Sequence, residues 1–256
     1  MVSGMSVFDA VAPQFDRHRA LPDAAAKAVR GGIMSALPPH PKLLDLGAGS
    51  GRIGWPFVRA HDDYVGVDLS FGMLRAFRQR CAGAALVQAD GCALPFADRS
   101  FDGVLLVQVF GGLKRWRALI EESLRVLRPQ GALLLGRTRR PDGGIDARMK
   151  RQLDLILHGS APPAEAGNSR AEAELQLEER AATVSVIDAA TWDATCTPRD
   201  FIERHDGGAR FSKLPAELRG RALRQLADWA VRQFGSLDAR FPETHRFTLR
   251  IFTFER

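Results

Sequence analysis

Between residues 42 and 136 the chain alternates short apolar runs with stretches of helical spacing, and this alternation limits its fold more than any other feature. The apolar runs are Lys42–Leu46, Tyr64–Asp68, Ala85–Ala89, Phe101–Gln108 and Ala132–Gly136. Between them, Arg52–Ala60 reads as a helix with Pro56 in its first turn or two. Ser70 reads as the N-cap of a helix carrying Met73, Leu74, Phe77 and Cys81 at helical spacing. Arg115–Leu127 places Trp116, Leu119, Ile120, Leu124 and Leu127 on one face. Strands that alternate with helices give a doubly wound α/β fold, a parallel sheet with helices on both faces. Strands buried on both sides lack the apolar–polar alternation of a half-exposed sheet, and these runs lack it.

The flanks follow a different rhythm. The first forty residues read as helical and polar, ending at Pro38, Pro39 and Pro41, where a helix must stop. After Gly136 come a basic turn (137–144), a helix (Ile145–Leu157), a small-residue loop (Gly159–Asn168) and a polar helix (Ala171–Ala181). Val184–Thr195 reads as a strand, Pro198–Arg204 and Pro215–Phe234 as helices, and Arg246–Phe254 as a last strand. No internal repeat and no second apolar pattern large enough for an independent core are visible. The expectation is one domain over residues 1–256. Its core spans about 40–137 with late strands at about 183–196 and 246–254, under a helical cap of about 137–181 and 198–243.

Composition excludes several classes. At 256 residues the chain suits about one domain. With 45% hydrophobic and 26% charged residues it is too apolar to be disordered. Its apolar runs break far short of the roughly 18 residues that span a bilayer. The N-terminus lacks a basic head and an apolar run, so no signal peptide is expected. Cys81, Cys92 and Cys196 are odd in number and far apart, which argues against a disulfide framework and against a zinc site. No metal is expected, and the setting fits a reducing cytoplasm. Lys+Arg is 36 against 30 Asp+Glu, a net +6, and only Lys27, Lys42, Lys114, Lys150 and Lys213 are lysines. Such a balance raises the question of an anionic or nucleic-acid partner. The arginines are interleaved with acids rather than blocked, which is the pattern of a solvated surface.

The densest signal is Asp45-Leu46-Gly47-Ala48-Gly49-Ser50-Gly51-Arg52-Ile53-Gly54, which follows a strand and opens a helix. Three glycines at alternate positions exceed what a turn requires and let a ligand approach the backbone. Two ligands fit. Gly49 to Gly54 match the G-x-G-x-x-G of dinucleotide sites, with Asp68 about twenty residues on. But Asp45 stands at the strand end, where a carboxylate would repel a pyrophosphate and welcome a cationic ligand such as the amino group of S-adenosylmethionine (SAM). The glycines also read naturally as Asp45-x-Gly47-x-Gly49-x-Gly51. Tyr64, the single tyrosine, has no lysine four residues on, so the Tyr/Lys pair of one hydride-transfer class is missing.

With those residues in view, positions from about 42 to 136 resemble the core of class I SAM-dependent methyltransferases, in the branch typified by ubiquinone and menaquinone biosynthesis (methyltransferase type 11). Asp45–Gly51 matches the first family motif, and Val65–Ser70 with Met73-Leu74 the second strand and its helix. Gln88-Ala89-Asp90, Leu94-Pro95-Phe96 and Ser100-Phe101-Asp102 match the third and fourth regions, and Leu124–Pro129 the approach to strand five. The resemblance implies a Rossmann-like sheet of seven strands, the last antiparallel. It places SAM outside the carboxyl ends of the strands, against Gly47, Ala48, Gly49 and Gly51, with Asp45 toward its amino group. Asp68 would accept both ribose hydroxyls, and Asp90 the adenine amino group, with backbone contacts from Gly91 or Cys92. Leu69 and Met73 would flank adenine, and Gln108 would line the methionine end. Phe15-Asp16-Arg17-His18-Arg19 resembles a segment of the family's first helix that closes over SAM, with Arg19, or else Arg17, on its carboxylate. Phe15 stands where the family usually has tyrosine.

The implied chemistry is displacement at a methyl carbon, which needs positioning and exclusion of water. A base is needed only if the nucleophile must lose a proton. His205 and His18 are the candidates, with His158 behind them. Many relatives carry a pair of histidines after strand four. This chain has Val109-Phe110-Gly111-Gly112-Leu113 there, with room beside Phe110 for an acceptor. The acceptor is expected to be a small molecule. A tRNA or rRNA acceptor is the alternative, prompted by Arg137, Arg139 and Arg140 after strand five. Against it, strand four lacks the Asn/Asp-Pro-Pro-Tyr segment of base-amino methylation, and no Pro-Cys nucleophile occurs. A SAM-binding protein without turnover is the third reading.

Overall fold

The computed structural model describes residues 21–111, 113–159, 169–206, 211 and 214–255. Within them lies a seven-stranded sheet in the order β3-β2-β1-β4-β5-β7-β6. The strands are β1 (Leu43–Leu46), β2 (Tyr64–Asp68), β3 (Ala85–Gln88), β4 (Phe101–Val107), β5 (Leu127–Arg139), β6 (Thr183–Cys196) and β7 (Phe241–Thr253). The first five are parallel, and β7 runs antiparallel between β5 and β6. The expected sheet, with its last strand reversed, is therefore present. All four residues of β1 are buried, as its apolar run requires of a strand covered on both faces. β7 begins at Phe241, five residues before the alternating run suggested, because β6 continues to Cys196 and pairs with it there.

The helices are α1 (Asp23–Ser35), α2 (Trp55–Arg59), α3 (Phe71–Arg80), α4 (Trp116–Val126), α5 (Ile145–His158), α6 (Ser169–Arg180), α7 (Pro198–Asp206) and α8 (Ala216–Phe234). The Ser70 hydroxyl accepts from the Met73 N–H at 3.2 Å, so α3 starts where its cap residue placed it. α8 ends at Gly235, whose φ of +80° lets its N–H close on the Val231 carbonyl. α1 is less polar than the sequence suggested. It buries Ala25, Ala26, Val29 and Ile33 on the sheet, with Gly32 against Ala189 of β6.

Two apolar layers cover the two faces of the sheet. One holds Val29, Ile33, Phe57, Tyr64 and Phe77, and the other Leu44, Leu106, Trp116, Ile120 and Phe252. A third cluster, absent from the sequence reading, joins Ile145, Met149 and Leu153 of α5 to Phe201 of α7 and to Ala222, Leu226 and Ala230 of α8. α5, α7 and α8 thus form one group held by its own apolar contacts, within the stretch expected as a cap. α6 does not belong to it, because Ala173 and Leu177 pack into the sheet layer beneath α4. Residues 137–139 and 241–243 likewise belong to strands.

Candidate functional site

The carboxyl ends of β1, β2 and β4 stand side by side. Leu46 is in register with Val67 and with Leu106, so the residues just beyond them share one rim of the sheet. The glycine loop leaves β1 on this rim. Gly47, Gly49 and Gly51 all have positive φ (79°, 56° and 79°). At Gly47 a Cβ would lie 2.5 Å from Val109 Cγ1, and at Gly51 2.2 Å from the Phe77 ring. The loop is therefore pressed against both the β4 end and α3, which only glycine permits at these φ values. α2 begins at Trp55 rather than Arg52, because residues 51–54 are still turning out of this loop.

The loop's amides are largely spent inside the protein. Gly47 and Ala48 N–H donate to the Val67 carbonyl at 2.8 and 3.0 Å, and Gly51 N–H to the Ala48 carbonyl. Gly49 N–H donates to Asp68 Oδ2 at 2.9 Å. A phosphate cradle needs such amides pointing at the ligand; here they fasten β1 to β2 instead.

Asp68 ends β2 with its carboxylate fixed on two sides. Gly49 N–H holds Oδ2, and Ser70 N–H holds Oδ1 at 2.8 Å. Leu69 beside it is 46% exposed, an apolar face left open at the rim. Met73 is 2% exposed, and Leu74 and Phe77 of the same helix are buried as well. Gln88 Nε2 donates to the Leu69 carbonyl and steadies that turn.

Asp45 is buried, and Tyr64 Oη donates to its Oδ2 at 2.7 Å. Burial pushes its carboxyl up to about 7; the Tyr64 hydrogen bond opposes this, Asp68 adds to it, and Arg52 opposes it. Tyr64 was not foreseen as a site residue. Its signal was that the single tyrosine of the chain opens the strand beside the loop.

Asp90 follows β3. Its Oδ1 accepts from Cys92 N–H at 2.9 Å, and its Oδ2 pairs with Arg115 at 3.0 Å on the surface. The Cys92 thiol donates to the Arg115 carbonyl, and burial with the Asp90 charge pushes it up. A Cβ on Gly91 would meet Leu119 Cδ1 at 2.6 Å, so this turn sits tightly on α4. Gln108, just past β4, has φ +57°, uncommon for a residue with a side chain and worth explaining at a rim. Arg52 Nη2 donates to its Oε1 at 3.2 Å, spanning the loop and the β4 end.

Beyond Gln108 a cleft of about 530 Å³ runs between the ends of β4 and β5 and the helices α5 to α7. Phe110, Arg137, Thr138, Phe201, Arg204 and His205 are among its walls. His205 stacks on Phe201 with centroids 3.9 Å apart, and its Nδ1 lies 2.8 Å from the Phe201 carbonyl. A carbonyl only accepts, so Nδ1 carries the proton and Nε2 is the basic nitrogen of the neutral ring. His158 Nδ1 turns back onto the Asp154 carbonyl at the surface. Phe15, Arg17, His18, Arg19 and Gly112 lie outside the described residues.

Away from the rim, Cys196, Glu243 and His245 bring three ligand-type atoms within 4.8 Å of one another, the one such group of described residues. His245 Nε2 lies 3.2 Å from Glu243 Oε2 and 3.6 Å from the Cys196 sulfur, while Ile145 N–H donates to Glu243 Oε1. Burial and Glu243 push the Cys196 thiol up to about 11. These bonds fasten β6 and β7 to the start of α5. No described helix is long and apolar enough to cross a membrane.

Comparison with known proteins follows the same lines. A methyltransferase-domain family model matches residues 44–135. A demethylmenaquinone methyltransferase of Renibacterium salmoninarum is 32% identical over 142 residues, covering 54% of this chain and 60% of the relative. The match thus spans less than two thirds of that relative's length. One of Beutenbergia cavernae is 33% identical over 182 residues, covering 70% of this chain and 74% of the relative. In fold, the YcgJ protein of Bacillus subtilis superposes with a TM-score of 0.54 at 20% identity, covering 88% of this chain and 98% of its own. The glycine loop, the acid closing β2 and the reversed seventh strand lie on this shared frame, and the chain belongs to the class I SAM-dependent methyltransferases of the methyltransferase-11 type.

Proposed function

We propose that this chain transfers a methyl group from SAM to a small-molecule acceptor seated in the cleft between the β4 and β5 ends and the cap. The observation that carries the reading is the Asp68 carboxylate. Two amides aim it, and it stands over a loop whose own amides are already committed. That arrangement suits a ribose and a cationic tail. It does not suit a pyrophosphate, which would need the amides of Gly47, Ala48, Gly49 and Gly51 for itself.

When bound, SAM supplies a methyl group made electrophilic by its sulfonium. The protein's part is to bind, orient and keep out water. Asp68 takes the ribose hydroxyls, the exposed Leu69 lies against adenine, and Asp90 with Gly91 and Cys92 closes that end. Gln108 fixes the passage toward the acceptor. Asp45, held by Tyr64, supplies negative charge beneath the amino group. His205 lines the acceptor cleft, stacked on Phe201, and its imidazole is the base assigned where the nucleophile must lose a proton. Arg19 and His18 remain candidates for the SAM carboxylate and for a second base.

The cleft volume lies within the range of small-molecule sites. Arginines are widely matched by acids: Arg30 by Asp62, Arg125 by Asp98 and Glu122, Arg128 by Asp102, Arg199 by Asp238. This favours a small acceptor over a nucleic acid. A cytoplasmic setting is in keeping with three free cysteines.

The test is calorimetric titration with SAM and S-adenosylhomocysteine (SAH). A tritiated-methyl screen over phenols, amines, thiols, quinone precursors and total RNA follows. Binding of both, with label in a small molecule, is expected. Label in RNA alone would overturn the acceptor class, and failure to bind SAH would overturn the reading itself.

A further inference from the structure

We infer that the acceptor cleft takes a molecule bearing a carboxylate or phosphate, which Arg137 and Thr138 at the end of β5 hold as an anchor. This deepens the proposed function and rests on it. Three unpartnered groups converge on one cleft. Among the described residues, Thr138 Oγ1 and Arg140 Nε are the buried side-chain polar atoms with no hydrogen-bond partner, and both residues line this cleft. Arg137 lines it too, half-buried, with no hydrogen bond or ion pair at contact distance among the described residues. Buried polar groups are nearly always paired, and one left open asks for a partner that the protein does not itself supply.

The charge balance points the same way. The cleft is lined by Arg137, Arg140, Lys150, Arg170 and Arg204 against Asp142, Asp146 and Glu174. Asp146 and Glu174 are already engaged, which leaves Arg137 and Lys150 against Asp142 alone among the described residues without an ion pair at contact distance. Asp146 Oδ2 takes both Arg140 Nη1 at 2.9 Å and Arg204 Nη2 at 2.6 Å. Glu174 pairs with Arg170 at 2.6 Å and with Arg250 at 2.9 Å. Arg137 feels Glu174 and Asp142 only at a distance, while burial and the neighbouring Arg170 and Arg139 bear against its charge. An anion seated on Arg137 relieves that repulsion, and rotation of the Thr138 side chain turns its buried hydroxyl toward the same anion. A guanidinium fork and a hydroxyl match the oxygens of a carboxylate or phosphate.

The anion is the anchor and not the methylated atom. Oxygens accepting charged hydrogen bonds have their lone pairs occupied and are poor nucleophiles. The acceptor atom is then a second group on the same molecule, directed toward Gln108 and the rim.

The experiment is titration with small acids, each beside its primary amide: hydroxybenzoates, hydroxycinnamates, 3-hydroxyalkanoates, and phenyl phosphate against phenol. Titrations are run with and without SAH. At least one acid is expected to bind tenfold or more tighter than its neutral partner, with an advantage that shrinks as salt rises. Arg137→Gln should erase that advantage, and Thr138→Val should reduce it severalfold, both leaving SAH affinity and thermal midpoint near wild type. Amides that bind as tightly as acids, no acid binding at all, or an advantage that survives Arg137→Gln would overturn the inference while leaving SAM use intact. Failure of SAH to bind would instead strike the methyl-donor reading, and the acid-to-amide ratio without SAH would still decide on the anion.

Discussion

Replacing Asp45 by Asn tests whether a proton sits beneath the glycine loop. The native carboxyl titrates near 7 because it is buried, against 3.8 ordinarily. The folded value lies above the unfolded one, so between about pH 4 and 7 the native state holds a proton that the unfolded chain has lost. Stability from this group is therefore greatest in acid and falls as pH rises toward 7. The full difference is about 4 kcal/mol, and about 2.5 kcal/mol of it falls between pH 5 and 8. For a chain of this size that is roughly 5–10 °C in thermal midpoint. Asparagine keeps an oxygen for the Tyr64 hydroxyl at 2.7 Å and removes the titration. Thermal melts at pH 5, 6, 7 and 8 should show the wild type losing this increment relative to Asp45→Asn as pH rises. The variant should be the more stable of the two above pH 7. Parallel curves would refute the reasoning, because the native carboxylate would then be ionised throughout. The same linkage predicts that a cationic ligand tail beside Asp45 expels the proton. SAH affinity should then rise with pH up to about 7 in the wild type, and be flatter in Asp45→Asn.

Three further outcomes are expected. Asp68→Asn retains one acceptor oxygen for the loop amides but loses the charge and one ribose acceptor. It should weaken SAH binding by about tenfold or more by calorimetry, and it should cost about 1–3 kcal/mol of stability because one of the two backbone amides loses its acceptor; unchanged affinity would reject the ribose placement. Gly51→Ala drives a Cβ to 2.2 Å from the Phe77 ring at φ +79°, and should cost about 2–4 kcal/mol in a urea melt. Glu243→Ala strands the Ile145 N–H at the start of α5 and leaves His245 without its carboxylate. A loss of about 2–3 kcal/mol is expected, with hydrogen exchange rising in α5 and the acid–amide ratio of the cleft unaffected.

What the sequence disclosed follows from how far apart its signals lie. The sheet was legible because its strands are local runs buried on both faces, and the loop because its glycines are contiguous. Helical spacing gives Met73 a face but not its neighbours, and the burial of that face at 2% exposure is set by the fold. α6 was assigned to the cap because a helix that buries only Ala173 and Leu177 among charges looks like a solvated one. The partnership of Asp45 with Tyr64 needs the parallel register of β1 and β2. That of Cys196 with His245 needs the antiparallel register of β6 and β7. Neither register is written in any short window.

Charge shows the limit most clearly. The excess of six positive charges read as background, and the ion pairs among arginines and acids across the surface agree with that reading. Yet composition cannot tell a matched arginine from an open one. Arg137, Arg139 and Arg140 are near-neighbours in a basic stretch, and alternation along β5 alone would treat the first two alike. The fold separates them. Arg139 is exposed, Arg140 is drawn onto Asp146, and Arg137 is left half-buried beside an unpartnered hydroxyl. Specificity for the acceptor therefore depends on where an arginine without an ion pair is placed: Arg137 is half-buried in the wall of the cleft, while Arg139 is exposed.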